Sequence, residues 1–314
     1  MPIGRFPMDV LHGVLNEMGL PWVMALGSTS IDMELHIQEH LKHWLSVALT
    51  PFQIPQRHLL RILRLSHTII SGSIALYFML PLNARVWTPS DMDLYTTTNG
   101  YSKIMAFLII HGYDLVVEFT GAQRPRGFGE HHIVYKMGYT IQQVIKMHKG
   151  DHTIDIIISQ TSSPLSPIFH FHSTAVMNFI SAYGFFSAYP KITDLWLSIL
   201  NPVTFQKAPM ARVLACFEKY TKCGFTYISI EGPSCAVFGC PKLTCPKPTW
   251  TTRDSQCLFL PFNSSNRALR VYSQDHHIRW CLGLESCDER YEDIEPFVKA
   301  DSNRATTTWL VWVN

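Results

Sequence analysis

Residues 88–97 of this chain read TPSDMDLYTT, with Asp91 and Asp93 two positions apart and the apolar Met92 and Leu94 alternating with them. This alternation, together with the β propensity of the stretch, predicts a strand. Both carboxylates then project from one face of that strand, while Met92 and Leu94 enter the core. Two like charges so close repel each other, and a divalent cation removes the repulsion. The pattern therefore indicates a metal site; the alternative is a solvated strand end that carries two exposed acids.

A third acid lies in a later apolar strand. Residues 151–159 read DHTIDIIIS, so that isoleucines at alternate positions share one face and Asp155 takes the other. An acid within so apolar a strand needs a partner or a use, because a buried unpaired charge is unfavourable. If this strand lies beside that of Asp91 and Asp93, all three acids meet on one surface. The alternative is an Asp on the solvent face of an edge strand.

A glycine-serine turn precedes the acids. Residues 67–73 read HTIISGS, which predicts a β-branched strand that runs into a turn, and residues 74–80 continue as a helix. Gly72 allows a phosphate to approach the backbone closely, and the free N–H groups at the start of the helix suit an anion. Ser73 adds a hydroxyl donor. The alternative is an ordinary turn in which serine caps the helix.

The rest of the pattern predicts an α+β protein with an α/β-type N-terminal core, because strands and helices alternate through residues 66–159. Further helices are predicted at 33–49, 57–66, 101–113, 173–182 and about 206–221. Further strands are predicted at 113–119, on both sides of a hairpin turn at 149–151, and at 257–262, 278–284 and 306–313, whereas 120–132 is loop-like. We expect an N-terminal helical region (1–56), a core (57–165) and a helical, Cys-rich C-terminal region (166–314).

In this order, the glycine-serine turn, the D-x-D strand and the later strand aspartate resemble the nucleotidyltransferase superfamily typified by DNA polymerase beta. The resemblance covers roughly residues 60–195, and this wider run is similar to fungal proteins that carry a domain of that type. It implies a nucleotidyltransferase-like mixed sheet with flanking helices.

The resemblance also implies roles for five residues. Gly72 and Ser73 would contact a nucleoside triphosphate, Asp91 and Asp93 would bind two Mg²⁺ ions, and Asp155 would join one ion and help to deprotonate the attacking hydroxyl. In this reaction the acceptor hydroxyl displaces pyrophosphate in line. Two cations about 3.5–4 Å apart stabilise both the attacking and the leaving oxygen of such a displacement. The expected function is transfer of a nucleoside monophosphate to an unidentified hydroxyl acceptor. The alternative is a catalytically inactive module of the same fold that binds a partner or a nucleotide.

Two features depart from the superfamily pattern. Seventeen residues separate Ser73 from Asp91, so the loop at 82–88 must bulge without displacing the acids. Cations that would grip the triphosphate are not marked by a motif; the candidates are Lys136, Lys146, Lys149, Lys191, Arg124 and Arg126. These departures favour the inactive alternative.

All eight cysteines lie between Cys216 and Cys287. Four of them, Cys235, Cys240, Cys245 and Cys257, could hold a structural Zn²⁺, but their spacing lacks the C-x2-C pair of common zinc ribbons. Reduced thiols are therefore the favoured interpretation. His170 and His172 are interpreted as helix-start and packing residues rather than ligands.

The overall composition excludes several classes of protein. With 47% hydrophobic and 16% charged residues, the chain is typical of a folded protein, and its net charge of +2 gives no strong nucleic-acid signature. No apolar run approaches the roughly 20 residues of a membrane span. Asp9 and Glu17 interrupt the region where a signal peptide needs an apolar core. We expect an intracellular protein, cytoplasmic or nuclear, with no membrane partner.

Overall fold

The computed structural model describes residues 7–120, 140–201, 211–228, 250–263, 277–282 and 297–301. Its strands are β1 (Ile69–Ser71), β2 (Asp91–Thr96), β3 (Asp114–Thr120), β4 (Ile141–Lys149), β5 (His152–Ser159), β6 (Asn178–Ile180), β7 (Gly184–Ser187), β8 (Leu197–Ile199), β9 (Thr226–Ile228), β10 (Trp250–Thr251), β11 (Leu258–Pro261), β12 (His277–Cys281) and β13 (Phe297–Asp301). Eight of these form one sheet in the order β11-β7-β6-β1-β2-β5-β4-β3, and the others form a three-stranded and a two-stranded sheet.

The helices flank this sheet. They are α1 (Met8–Glu17), α2 (Leu20–Gly27), α3 (Ile31–Leu49), α4 (Gln56–Ser66), α5 (Gly72–Met79), α6 (Tyr101–Ile110), α7 (Pro190–Asp194) and α8 (Ala211–Lys222). The longest of them, α3, begins at a clear signal: the Ser30 side chain accepts a hydrogen bond from the Met33 N–H, and Asp32 and Glu34 lie in the first turn. Both features stabilise a helix N-terminus.

The eight-stranded sheet is mixed, because β2 and β5 run parallel while its other neighbouring strands run antiparallel. β4 and β5 form a hairpin in which Lys149 pairs with His152, and Gly150 in the turn has a positive φ of 57°. Glycine adopts this conformation without the steric penalty that a Cβ imposes. The tight turn fixes the register of the whole hairpin.

Both faces of the sheet are covered. Met92, Leu94 and Ile156 belong to a core that also includes buried residues of the N-terminal helices, such as Trp44 of α3. On the opposite face Ile69, Tyr95 and Ile157 pack with residues from later in the chain, such as Phe169 and Trp280. The strand that carries the acids therefore lies between two apolar layers.

The α+β class is confirmed, but two sequence-based expectations need comment. The predicted helix at 173–182 is wrong: Thr174–Val176 forms a short 3-10 turn, and β6 follows it. Pairing of β6 with β1 and β7 satisfies its backbone hydrogen bonds, and this tertiary pairing overrides the local helical pattern. In addition, β6, β7 and β11 extend the sheet past residue 165, so the expected domain boundary does not coincide with an edge of the sheet. The strand predicted at 306–313 and all but the first residue of the loop at 120–132 lie outside the described residues.

Candidate functional site

Three carboxylates meet on one face of the sheet. In the register of neighbouring strands, Ser71 of β1 lies opposite Asp93 of β2, Asp93 opposite Asp155 of β5, and Asp155 opposite Lys146 of β4. Asp91 precedes Asp93 by two positions and so points to the same face. We call the face that carries Asp91, Asp93 and Asp155 the acid surface.

The glycine-serine turn lies directly against the acid surface. Gly72 begins α5 with a positive φ of 67°, and a Cβ at this position would overlap Oδ2 of Asp93. The Ser73 hydroxyl donates a long hydrogen bond of 3.4 Å to Oδ1 of Asp91. The turn thus brings the Gly72 backbone against Asp93 and the Ser73 hydroxyl against Asp91.

Asp93 is the central acid electrostatically. Its pKa is raised well above the ordinary value, first by burial and then by the nearby carboxylates of Asp91 and Asp155; Lys219 and Lys146 lower it in part. The negative charge on Asp93 is therefore disfavoured in the folded protein unless a cation compensates it. Burial is the main cause of this effect, and repulsion from Asp91, the other acid of the D-x-D pattern, adds to it.

Lys146 pairs with the third acid. Its Nζ lies 3.2 Å from Oδ1 of Asp155, and the two side chains are 32% and 7% exposed, respectively. The hairpin of β4 and β5 places these residues directly opposite each other. Asp155 is thus a buried carboxylate whose positive partner belongs to the same sheet.

Helix α8 brings a second lysine to the acid surface. Lys219 Nζ lies 3.9 Å from Oδ1 of Asp91, and both side chains are more than a third exposed. The neighbouring Tyr220 is buried and stacks on the His172 ring at 5.8 Å between centroids. Burial raises the pKa of Tyr220 well above its ordinary value, and Cys216, Asp93 and Asp91 raise it further.

The sequence-based reasoning missed Lys219 and Tyr220. A signal was available, because Cys216, Lys219, Tyr220 and Cys223 follow the i, i+3, i+4, i+7 spacing of one helix face. Nothing in the sequence alone connected that face with Asp91, the acid that Lys219 approaches, which lies 128 positions earlier (219 − 91).

The donor chemistry of the acid surface fits Mg²⁺, which prefers oxygen ligands and often takes one or two carboxylates plus substrate phosphates. The absence of a Cβ at Gly72 also allows the Asp93 carboxylate to lie directly against the turn. However, no three His, Cys, Asp or Glu side chains in the described part of the chain are arranged to hold a metal ion together. The residues therefore fit an ion held by one or two carboxylates and completed by a ligand, not a preformed three-ligand centre.

Arg85 anchors the loop that connects α5 with β2. The guanidinium lies over the rings of Trp44 and Tyr77, 4.8 and 4.6 Å from their centroids, and donates hydrogen bonds to the carbonyls of Leu80 and Phe78. These contacts hold the segment that follows α5 against α3 and α5.

The other predicted cations have different roles or fall outside the structure. Lys149 donates to the His111 carbonyl at 3.0 Å, and Lys191 donates to Gln256 at 3.2 Å. The remaining three, Lys136, Arg124 and Arg126, lie outside the described residues.

The zinc alternative stays untested for three of its four cysteines, since Cys235, Cys240 and Cys245 lie outside the described residues. The fourth, Cys257, is a free thiol whose Sγ lies 3.5 Å from the Ala188 carbonyl, and burial raises its pKa. Burial lowers the pKa of both His170 and His172 to about 4, so both rings are neutral at physiological pH.

None of the helices in the described ranges has the length and apolarity that a bilayer crossing requires. No protein-family model, no curated protein and no solved structure matches this chain. The acid surface and its surroundings are therefore interpreted from their own geometry and chemistry.

Proposed function

We propose that this protein is a metal-dependent nucleotidyltransferase that moves a nucleoside monophosphate from a nucleoside triphosphate to a hydroxyl acceptor. One observation carries the proposal: Asp91, Asp93 and Asp155 share one face of two parallel strands, next to the Gly72–Ser73 turn. A carboxylate whose charge is disfavoured, held close to two others and beside a helix N-terminus that suits an anion, is a site that a Mg²⁺–triphosphate substrate can use.

In this proposal each element of the site has a separate task. Asp91 and Asp93 hold the metal, and when bound Mg²⁺ would offset the negative charge that builds on the phosphoryl oxygens. The backbone N–H groups at the start of α5 and the Ser73 hydroxyl donate to the phosphate oxygens. Gly72 lacks the Cβ that would overlap the Asp93 carboxylate, so this carboxylate can lie beside the start of α5.

The proposed reaction breaks one bond and forms one bond. The oxygen of the acceptor hydroxyl attacks the α-phosphorus, and the bond from that phosphorus to the bridging oxygen of pyrophosphate breaks. The bridging oxygen keeps the electron pair of the broken bond, and the hydroxyl proton passes to the Asp155 carboxylate. In this proposal Asp155 accepts the proton while the Lys146 ammonium lies 3.2 Å from its Oδ1.

The test is Mg²⁺-dependent consumption of nucleoside triphosphates, with release of pyrophosphate, by the purified chain. We expect Asp91→Ala, Asp93→Ala and Asp155→Ala each to lower turnover at least ~10²-fold, since each removes a group that acts on the reacting atoms. The control is Asp151→Ala, which removes an exposed carboxylate from the β4–β5 turn. Undiminished turnover in the three variants would refute the proposed site.

A second candidate is a catalytically inactive module that keeps the fold and binds a nucleotide or a partner. Both outer acids face lysines, and no preformed three-ligand metal group is found among the described residues, which supports this alternative. Calorimetry with Mg²⁺ and nucleoside triphosphates distinguishes the two. Binding without turnover supports the inactive module, whereas turnover of any triphosphate excludes it.

A further inference from the structure

We propose that the acid surface takes one divalent cation rather than the two that the superfamily resemblance implies, because Lys146 already supplies the positive charge at Asp155. The inference rests on the proposed function and specifies how its site is charged. It assigns to Lys146 a permanent role that no motif in the sequence marks.

The structure fixes Lys146 at this position. The hairpin turn sets the β4–β5 register, in which Lys146 lies directly opposite Asp155. The flanking residues Ile145 and Met147 are fully buried on the other face, so β4 cannot slide or rotate without exposing them. In this register the lysine ammonium lies 3.2 Å from Asp155 Oδ1.

The burial of Asp155 makes this pair difficult to replace. The carboxylate side chain is only 7% exposed, so water would compensate little of its charge if Lys146 left. A divalent ion at Asp155 would have to displace the ammonium or lie beside it. Two positive centres within a few ångströms of each other repel strongly in a partly buried site.

Lys219 presents the opposite case. It reaches Asp91 from α8, a separate element, and the distance of 3.9 Å joins side chains that are 43% and 36% exposed. Exposed pairs of this kind contribute little free energy, because both groups are well solvated when apart. A cation that binds Asp91 and Asp93 can therefore replace Lys219 at a small free-energy cost.

The charge of the site agrees with this assignment. A bound cation favours the ionised form of all three carboxylates, which then carry three negative charges, and Lys146 compensates one of them. Once Lys219 has withdrawn, the remaining two negative charges equal the charge of one divalent cation. A second divalent ion would give the surface an excess of positive charge before any triphosphate binds.

The experiment counts Mn²⁺ ions bound per chain, by calorimetry and by electron paramagnetic resonance of free Mn²⁺, with no nucleotide present. We expect one ion for the wild type and two for Lys146→Met, because that substitution frees the Asp155 charge while keeping an apolar stem of similar length. Lys146→Arg keeps the charge and should keep the count at one. Lys149→Met is the matched control on the same strand, since Lys149 contacts the His111 carbonyl rather than the acids, and its count should stay at one.

Two ions per wild-type chain, or one ion in Lys146→Met, would overturn the inference while leaving the proposed function intact. No Mn²⁺ binding in the wild type would overturn both. If Lys146→Met does not fold, the double variant Lys146→Met/Asp155→Asn, which lacks both charges of the pair, is measured instead of the single variant. In that case one ion in the wild type and one in the double variant support the inference, whereas a fall from two to one shows that Asp155 holds an ion in the wild type.

Discussion

The two lysine–carboxylate pairs at the edges of the acid surface have the same chemistry but differ in how the fold holds them. Lys146 and Asp155 belong to adjacent strands of one sheet, 3.2 Å apart, and the carboxylate is buried. Lys219 and Asp91 join a helix to a strand at 3.9 Å, and both side chains are substantially exposed. The Lys146–Asp155 pair lies within the sheet, whereas the Lys219–Asp91 pair is a solvent-exposed contact between a helix and a strand.

The difference shows that distance alone does not determine what an ion pair contributes. A buried carboxylate loses its hydration, and removal of its partner leaves that loss uncompensated. An exposed carboxylate is hydrated with or without its partner, so the pair adds little free energy and weakens in salt. On the sheet side of the site, the Lys146–Asp155 pair should therefore persist. On the helix side, a metal ion should be able to replace Lys219 at Asp91.

The largest expected effect comes from breaking the pair on the sheet side. Lys146→Met should lower the free energy of unfolding by about 3 kcal/mol at neutral pH, because it leaves the Asp155 carboxylate buried without its cation. The double variant Lys146→Met/Asp155→Asn should recover part of this loss, since it removes both charges. Denaturant unfolding of the two variants measures the difference. A loss for Lys146→Met no greater than that for Lys219→Met would contradict the comparison.

The second-largest effect is expected at Gly72, which lies against Asp93, the acid located between the two ion pairs. Gly72→Ala should lower the free energy of unfolding by about 1–3 kcal/mol, because its φ of 67° strains a residue with a Cβ and that Cβ overlaps Asp93. It should also weaken Mn²⁺ binding by displacing the carboxylate. The matched control is Gly150→Ala, where φ is 57° but an added Cβ meets nothing within 4 Å. Equal losses in thermal and denaturant unfolding of both variants would show that the overlap with Asp93 has no effect.

A smaller effect follows from the raised pKa of Asp93. The folded protein binds this proton more tightly than the unfolded chain, so the group's contribution to stability is fully present below its ordinary pKa of 3.8 and declines as the pH rises towards the raised folded pKa. Asp93→Asn resembles the protonated acid and should remove this decline, which makes the variant more stable than the wild type at neutral pH. Added Mg²⁺ should stabilise the wild type and not the variant.

Melting temperatures measured between pH 3.8 and neutral, with and without Mg²⁺, test this prediction. Asp151→Asn, in the exposed turn, serves as the control and should follow the wild type. A difference between wild type and Asp93→Asn that does not change with pH would contradict the raised pKa.

The smallest effect on stability is expected on the helix side. Lys219→Met should change the free energy of unfolding by less than about 1 kcal/mol, because both partners are exposed, and salt should reduce the change further. Its Mn²⁺ affinity should rise, since no ammonium competes for Asp91. Lys222→Met, on the same helix and paired with the exposed Glu218, should leave Mn²⁺ affinity unchanged. Weaker Mn²⁺ binding in Lys219→Met would show that the lysine assists the ion instead of competing with it.

Part of the acid surface could be predicted because its signals are local. Alternation with period two placed Asp91 and Asp93 on one face, and the turn at 149–151 defined a hairpin. That hairpin also contained the Lys146–Asp155 pair, since a two-residue turn that pairs Lys149 with His152 sets Lys146 opposite Asp155. The register of the hairpin, which follows from its turn, is therefore sufficient to place Lys146 opposite Asp155.

Other features could not be predicted, because they depend on partners that are distant in the chain. The segment at 173–182 has a locally helical pattern, yet its residues Asn178–Ile180 form a strand between β1 and β7, which offer backbone hydrogen bonds on both sides. The approach of Lys219 to Asp91 depends likewise on where α8 packs. Neither the formation of β6 nor the position of Lys219 is determined by a window of neighbouring residues.

The sequence by itself determined which residues carry charge, which strand face they occupy and where the chain turns, because side-chain alternation and glycine conformation are properties of a few adjacent residues. Only the tertiary structure decided that β2 lies beside β5 with Asp93 opposite Asp155, and that one lysine is locked into the sheet while the other arrives on a helix. The physical reason is that burial and electrostatic coupling depend on distances through space, which are set when the strands pair and the helices pack against them.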